Sequence, residues 1–217
     1  ISGRTTSNVF EGPVLYMVNC NLTLNNVSIA SSNVNIKKNS ISGGVIYLNS
    51  KKSQGIITDL KSNQITSAGN IYGGLFYNRR TLTPIGELSL KGDVIDNKIS
   101  AVTTVYGGIV NNEGSKIDKI EWANVDNNEV SNANDKGSVI GGFIQNKSGI
   151  IEKLKIDNFT NNTVTSSKNL EGALIYNESG TINNLLEIGK ITGNTITAKT
   201  NYNGLITNVE GTIDSIK

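Results

Sequence analysis

The sequence predicts an all-β chain wound as a parallel β-helix, a solenoid, and three observations carry that expectation. The first is a recurring block, a Gly-small pair followed by two apolar residues and a nearby Asn. It reads Gly43-Gly44-Val45-Ile46, Gly73-Gly74-Leu75-Phe76, Gly107-Gly108-Ile109-Val110, Gly141-Gly142-Phe143-Ile144, Gly172-Ala173-Leu174-Ile175 and Asn203-Gly204-Leu205-Ile206, with a degenerate copy at Gly12-Pro13-Val14-Leu15. The second is its period: the second small residue falls at 13, 44, 74, 108, 142, 173 and 204, in steps of 31, 30, 34, 34, 31 and 31 residues. Self-similarity at such a period marks a solenoid. The third is the alternation of apolar and polar residues between blocks, the mark of half-buried strands, with no helical spacing of useful length.

Each period reads as three strands. The Gly-Gly block is the first. The second follows a turn, as in Gly114-Ser115-Lys116-Ile117-Asp118-Lys119-Ile120 or Gly149-Ile150-Ile151-Glu152-Lys153-Leu154. The third has the form apolar-x-x-Asn-x-apolar-hydroxyl, as in Leu60-x-x-Asn63-x-Ile65-Thr66 and Phe159-x-x-Asn162-x-Val164-Thr165, with Ile36-x-x-Asn39-x-Ile41-Ser42 as an early copy. About seven coils of ~31 residues then stack at about 4.8 Å each, beginning near 12, 43, 73, 107, 141, 172 and 203, in a single segment spanning 1–217. The chain starts at Ile1 without Met and ends at Lys217 within a repeat, so it reads as a piece of a longer one.

Composition narrows the function. The 217 residues carry 20 Lys and Arg against 18 Asp and Glu, a net charge of +2, which gives no basic stripe for nucleic acid. No apolar run is long enough to insert into a membrane. Cys20 is the single cysteine and there is no His to activate it, so it reads as a small buried hydrophobe. No cofactor motif is present.

The Gly-Gly-small-apolar blocks, together with Phe159-Thr160-Asn161-Asn162 and its relatives with Leu, Val or Ile in place of Phe, resemble the double motif of chlamydial polymorphic membrane proteins. More broadly the chain is similar to the passenger domains of autotransporter adhesins. The resemblance covers about residues 12–217. It implies a right-handed, extracellular β-helix used for adhesion at the cell surface and anchored in an outer membrane through a C-terminal barrel outside this sequence.

Stacking like on like makes columns. Asn78, Asn112, Asn146, Asn177 and Asn208 form one, and Asn63, Asn97, Asn128, Asn162 and Asn194 another. Amides in register hydrogen-bond along the axis, so these are expected to be structural ladders. The adjacent apolar columns Val45, Leu75, Ile109, Phe143, Leu174, Leu205 and Ile46, Phe76, Val110, Ile144, Ile175, Ile206 cannot both enter the core if successive strand residues face opposite ways. One is therefore expected to face outward beside Tyr47, Tyr77 and Tyr176, as a partner surface or as a stripe covered by another segment. A hydroxyl column of Ser42, Thr66, Ser100, Ser131, Thr165 and Thr197 reads as a solvated face.

Sequons at Asn21, Asn26, Asn146, Asn158, Asn161 and Asn177 would take N-glycans on a eukaryotic secretory route. A polysaccharide-degrading site needs clustered acids. Here Asp59 and Asp118 share a column two coils apart, and Asp96 meets Asn127 rather than another acid. Arg79 and Arg80, in a turn beside Pro84, read as solvated. The expectation is a non-catalytic adhesin-like rod whose partner is a protein or glycan of a host or neighbouring cell, or another copy of itself. The stretches Ser131–Ser138 and Ser166–Leu170 vary most between repeats and are natural contact points. The alternatives are a subunit of an extracellular filament or coat, glycosylated in a eukaryote, and a β-helical polysaccharide-degrading enzyme.

Overall fold

The computed structural model describes residues 4–6, 9–11, 14–18, 21–37, 39–49, 52–79 and 87–217, and every regular element among them is a strand. From Val9–Glu11 onward each strand pairs in parallel with its counterpart one period away. Phe76 lies opposite Ile46 on one side and Val110 on the other. The chain is thus a parallel β-solenoid, as the repeat predicts.

The coil has four sides rather than the expected three. Sheet A is made of short strands just before the Gly pair, such as Ile71–Tyr72, Val105–Tyr106 and Val139–Ile140. Sheet B follows the pair with Phe76–Arg79, Val110–Glu113 and Ile144–Lys147. Sheet C holds the long strands, such as Lys116–Asp126 and Ile150–Thr160, and sheet D holds Lys98–Ala101, Glu129–Asn132 and Thr163–Ser166. Sheet A escapes sequence reading because a two-residue strand is too short to alternate. Among the described residues the sheets carry eight, seven, seven and six strands, so six turns have all four sides. One edge of sheet A ends in an antiparallel pair, Arg4–Thr6 with Val9–Glu11. The first coil start, near 12, lies outside the described residues, as do Cys20, Arg80 and Pro84.

The register corrects two columns. Thr66, Ser100, Ser131, Thr165 and Thr197 stack in sheet D, but the residue that precedes Thr66 in that column is Asn35. Ser42 belongs to sheet A, opposite Tyr72, so Val34-Asn35 and not Ile41-Ser42 is the early copy of the third block. Asp59 and Asp118 do not share a column either. Asp118 accepts from the Leu88 N–H at 2.8 Å, in the column of Gly55, whereas Asp59 accepts from the Asp93 N–H at 3.0 Å, in the column that passes on to Asn124.

The Gly pair decides where the apolar columns go. Gly107 has φ +61, open to glycine at little cost, and a Cβ on Gly108 would lie 2.2 Å from the Gly142 carbonyl oxygen. This bend turns the chain from sheet A into sheet B. Within it the N–H groups of Ile109 and Val110 both donate to one acceptor, the Phe143 carbonyl, at 3.0 and 2.8 Å. Two successive N–H groups aimed the same way put both side chains inside. The expectation of an outward apolar stripe is therefore wrong: Val45, Leu75, Ile109, Phe143 and Leu174 are buried together with Ile46, Phe76, Val110, Ile144 and Ile175. Only the last coil departs from this, with Leu205 and Ile206 both half-buried. Opposite them the core is filled by Ile65, Ile99, Val130 and Val164 from sheet D and by Trp122, Ile156 and Phe159 from sheet C. Each such side chain contributes roughly 1.5–3 kcal/mol on burial.

Candidate functional site

The two Asn columns are ladders. From Asn78 on, each Nδ2 donates to the next Oδ1, at 3.1, 2.8, 2.8 and 2.6 Å through Asn112, Asn146, Asn177 and Asn208. Each amide from Asn112 to Asn208 also closes its own turn, donating to the carbonyl of Ser115, Gly149, Gly180 or Gly211. In the second ladder the backbone N–H and Nδ2 of Asn63, Asn97, Asn128 and Asn162 both grip the Oδ1 ahead, ending on Asn194. The left-handed backbone that such corners need falls not on the ladder amides but on their neighbours Ser62, Asp96, Asn127 and Asn161. Asn78 Oδ1 has no hydrogen-bond partner among the described residues, because the residue behind it in the column is Leu48.

This placement separates the sequons. Asn146 and Asn177 are fully buried and their Nδ2 atoms are committed to the ladder, which leaves no room for a glycan. Asn26 and Asn161 are exposed. Asn158 donates to the Ala123 carbonyl and to Asn124. The side chain of Asn21 lies outside the described residues.

The carboxylates on sheet C are tied to neighbours in adjacent coils. Lys119 holds Glu87 at 2.8 Å, Lys153 holds Glu121 at 2.7 Å and Lys116 holds Glu152 at 2.9 Å, while Lys61 reaches Asp93 at 3.0 Å. These contacts hold the acids below the ordinary carboxylate range: Glu87 chiefly through Lys119, Glu121 through Lys153, Glu152 through Asn183 and Asp93 through Asn124. At the corner between sheets C and D the polar groups answer one another. Asn127 donates to Asp96 at 2.7 Å, as the sequence predicts, and Asn161 and Thr160 donate to Asp126 at 2.9 and 2.6 Å.

The outer faces of sheets A and B meet at an angle that tyrosines close over part of its length and that opens as a short groove beside Tyr72, Tyr106, Asn111 and Gln145. Tyr16, Tyr47, Tyr77, Asn111, Gln145, Tyr176 and Thr207 succeed one another along the outer column of sheet B. Tyr72 and Tyr106 stack in parallel on sheet A with ring centres 4.9 Å apart, and Tyr72 lies 6.4 Å from Tyr77 across the angle. Tyr16 stacks on Tyr47 at 5.1 Å, and Tyr47 meets Tyr77 edge-on at 5.3 Å. Tyr47, Tyr77 and Tyr176 thus face outward from the sheet yet are 2, 4 and 8 % exposed; Tyr47 and Tyr77 are packed in a ring ladder, and Tyr176 stands beyond it, past Asn111 and Gln145, so none is spread on an open stripe. Burial and the Glu113 carboxylate, which accepts from the Tyr77 hydroxyl, push that phenol far above its ordinary range. Burial, helped by Glu171 and Glu178, pushes Tyr176 up to about 12.

Where the column changes from Tyr to Asn111 and Gln145, the shorter side chains leave a hollow of about 200 Å³, lined by Tyr72, Tyr106, Asn111, Glu113, Gln145 and Lys147. Its floor amides are 1 and 3 % exposed, and Asn111 Oδ1 finds no hydrogen-bond partner among the described residues. Beside it Arg79, Glu113, Lys147 and Glu178 alternate in sign, with Lys147 and Glu178 paired at 3.2 Å. Sequence reading misses this hollow. Its signal was the break in the tyrosine column, but reading it required knowing that sheet A exists and faces sheet B. No family model, curated protein or solved structure matches the chain.

Proposed function

We propose that this chain is a non-catalytic, adhesin-like segment displayed at a cell surface, a stiff rod that holds a partner along its groove. One observation carries the reading. The inward columns repeat their residue types coil after coil, while the groove column changes from Tyr to Asn to Gln and back to Tyr. A constant scaffold with a varied concave face is how solenoids present recognition surfaces. The paired acids support the non-catalytic half of the reading. A general acid needs its pKa raised toward neutrality, and Glu87, Asp93, Glu121 and Glu152 are shifted the other way. The test is binding of the fluorescently labelled chain to intact cells, beside a variant with charge-reversed groove residues, Glu113→Lys with Lys147→Glu. Saturable binding that the variant weakens supports the proposal; equal binding by both counts against the groove.

A further inference from the structure

Resting on that reading, we propose that the hollow at Asn111 and Gln145 is a subsite for a neutral oligosaccharide lying along the rod axis. The floor offers two carboxamides one coil apart, about 4.8 Å. Each carries a donor and an acceptor side by side, the pattern that matches neighbouring sugar hydroxyls. Asn111 is buried, lines the hollow and has an acceptor oxygen that no described residue satisfies. That oxygen is closed to solvent as the side chain stands, so a hydroxyl seated in the hollow supplies the missing hydrogen bond once the Asn111 carboxamide turns toward it. Tyr72 and Tyr106 add a wall that is apolar in body and polar at its tip.

Charge and shape choose among ligand classes. Arg79, Glu113, Lys147 and Glu178 alternate in sign along the rim and so present no field of one sign to draw in a polyanion. A peptide adding as a strand needs an open sheet edge, but at these coils sheets A and B are paired on both sides. A drug-sized molecule needs a pocket of roughly 300 Å³ or more. The hollow is about 200 Å³, suited to one part of a longer chain whose remainder lies outside it.

The experiment uses the whole chain on an array of neutral hexose and N-acetylhexosamine oligosaccharides beside sialylated and sulfated ones, followed by calorimetric titration of the best neutral binder. The variant Asn111→Tyr with Gln145→Tyr continues the tyrosine column and fills the hollow. Neutral glycans are expected to bind, and the filled variant to lose about tenfold or more in affinity with unchanged circular dichroism. If the tyrosine pair fails to fold, Gln145→Met keeps the volume, removes both hydrogen-bonding groups and is expected to show the same loss. Binding of anionic glycans alone, binding of none, or full affinity in a folded filled variant overturns the subsite. Cell binding that survives removal of surface glycans also overturns it, while leaving the rod reading intact.

Discussion

Replacing Asn128 with Ala tests how much one rung of a buried amide ladder contributes. Asn128 is 2 % exposed. Its Oδ1 accepts from the Asn97 N–H at 3.0 Å and from Asn97 Nδ2 at 2.9 Å; its Nδ2 donates to Val94 O, Asp126 O and Asn162 Oδ1 at 2.8, 3.0 and 2.9 Å. Truncation leaves the Asn97 N–H buried without this acceptor, which costs about 1–3 kcal/mol, and removes several further bonds at about 0.5–1.5 kcal/mol net each. The sum is about 4 kcal/mol, a large share of a typical domain's 5–15 kcal/mol. Asn194, at the ladder's end, accepts the same pair of bonds from Asn162 but is only half-buried. Water can replace it, so Asn194→Ala is expected to cost about 1–2 kcal/mol. Urea unfolding followed by Trp122, the single tryptophan and a buried one, reads both variants. Because solenoids need not unfold in one step, the denaturant slopes must agree before the free energies are compared. Equal losses at the two positions, or a loss at Asn128 below about 1 kcal/mol, would refute the burial argument.

Gly108→Ala places a methyl against the Gly142 carbonyl and is expected to cost about 2–3 kcal/mol; a melting temperature within error of the parent would show that the bend yields more easily than its geometry implies. Raised phenol pKa values mean that the folded state keeps protons the unfolded chain has lost, so stability is full below pH 10 and falls as pH rises toward 12. Tyr176→Phe should flatten that fall in denaturation measured against pH, and an unchanged slope would remove Tyr176 as its source. At the acid end the lowered carboxylates Glu87, Asp93, Glu121 and Glu152 act with the opposite sign: their contribution is present at neutral pH and is lost as they protonate. Folded chain secreted from a eukaryotic host should carry no glycan at Asn146 or Asn177 in a peptide map, whereas occupancy there would contradict the ladder.

The solenoid was legible because its signals are periodic. Asn and apolar residues recur at one phase, and in a parallel stack phase is position, so both ladders could be written down from the sequence. What escaped has local causes. Period-2 reasoning assumes an unbroken strand, and the bend at Gly107-Gly108 turns Ile109 and Val110 to the same side. Tyr72 and Tyr106 sit in strands of two residues, too short to read. The hollow arises from small side chains in one column facing large ones in another, and the repeat alone does not give the angle between two sheets.

The ladders also have a sense. From Asn63 to Asn194, and from Asn78 to Asn208, every side-chain link runs donor to acceptor toward the C-terminal end. Amide dipoles aligned in file add, much as peptide dipoles do in a helix. The rod is therefore vectorial. The N-terminal end of one file stops at an oxygen awaiting a donor, Asn78 Oδ1, whereas the far end stops at amides that have already accepted. Its two ends are not interchangeable. Any coil grafted on from another solenoid would have to enter with its amides pointing the same way, so a head-to-head junction would break both files at once.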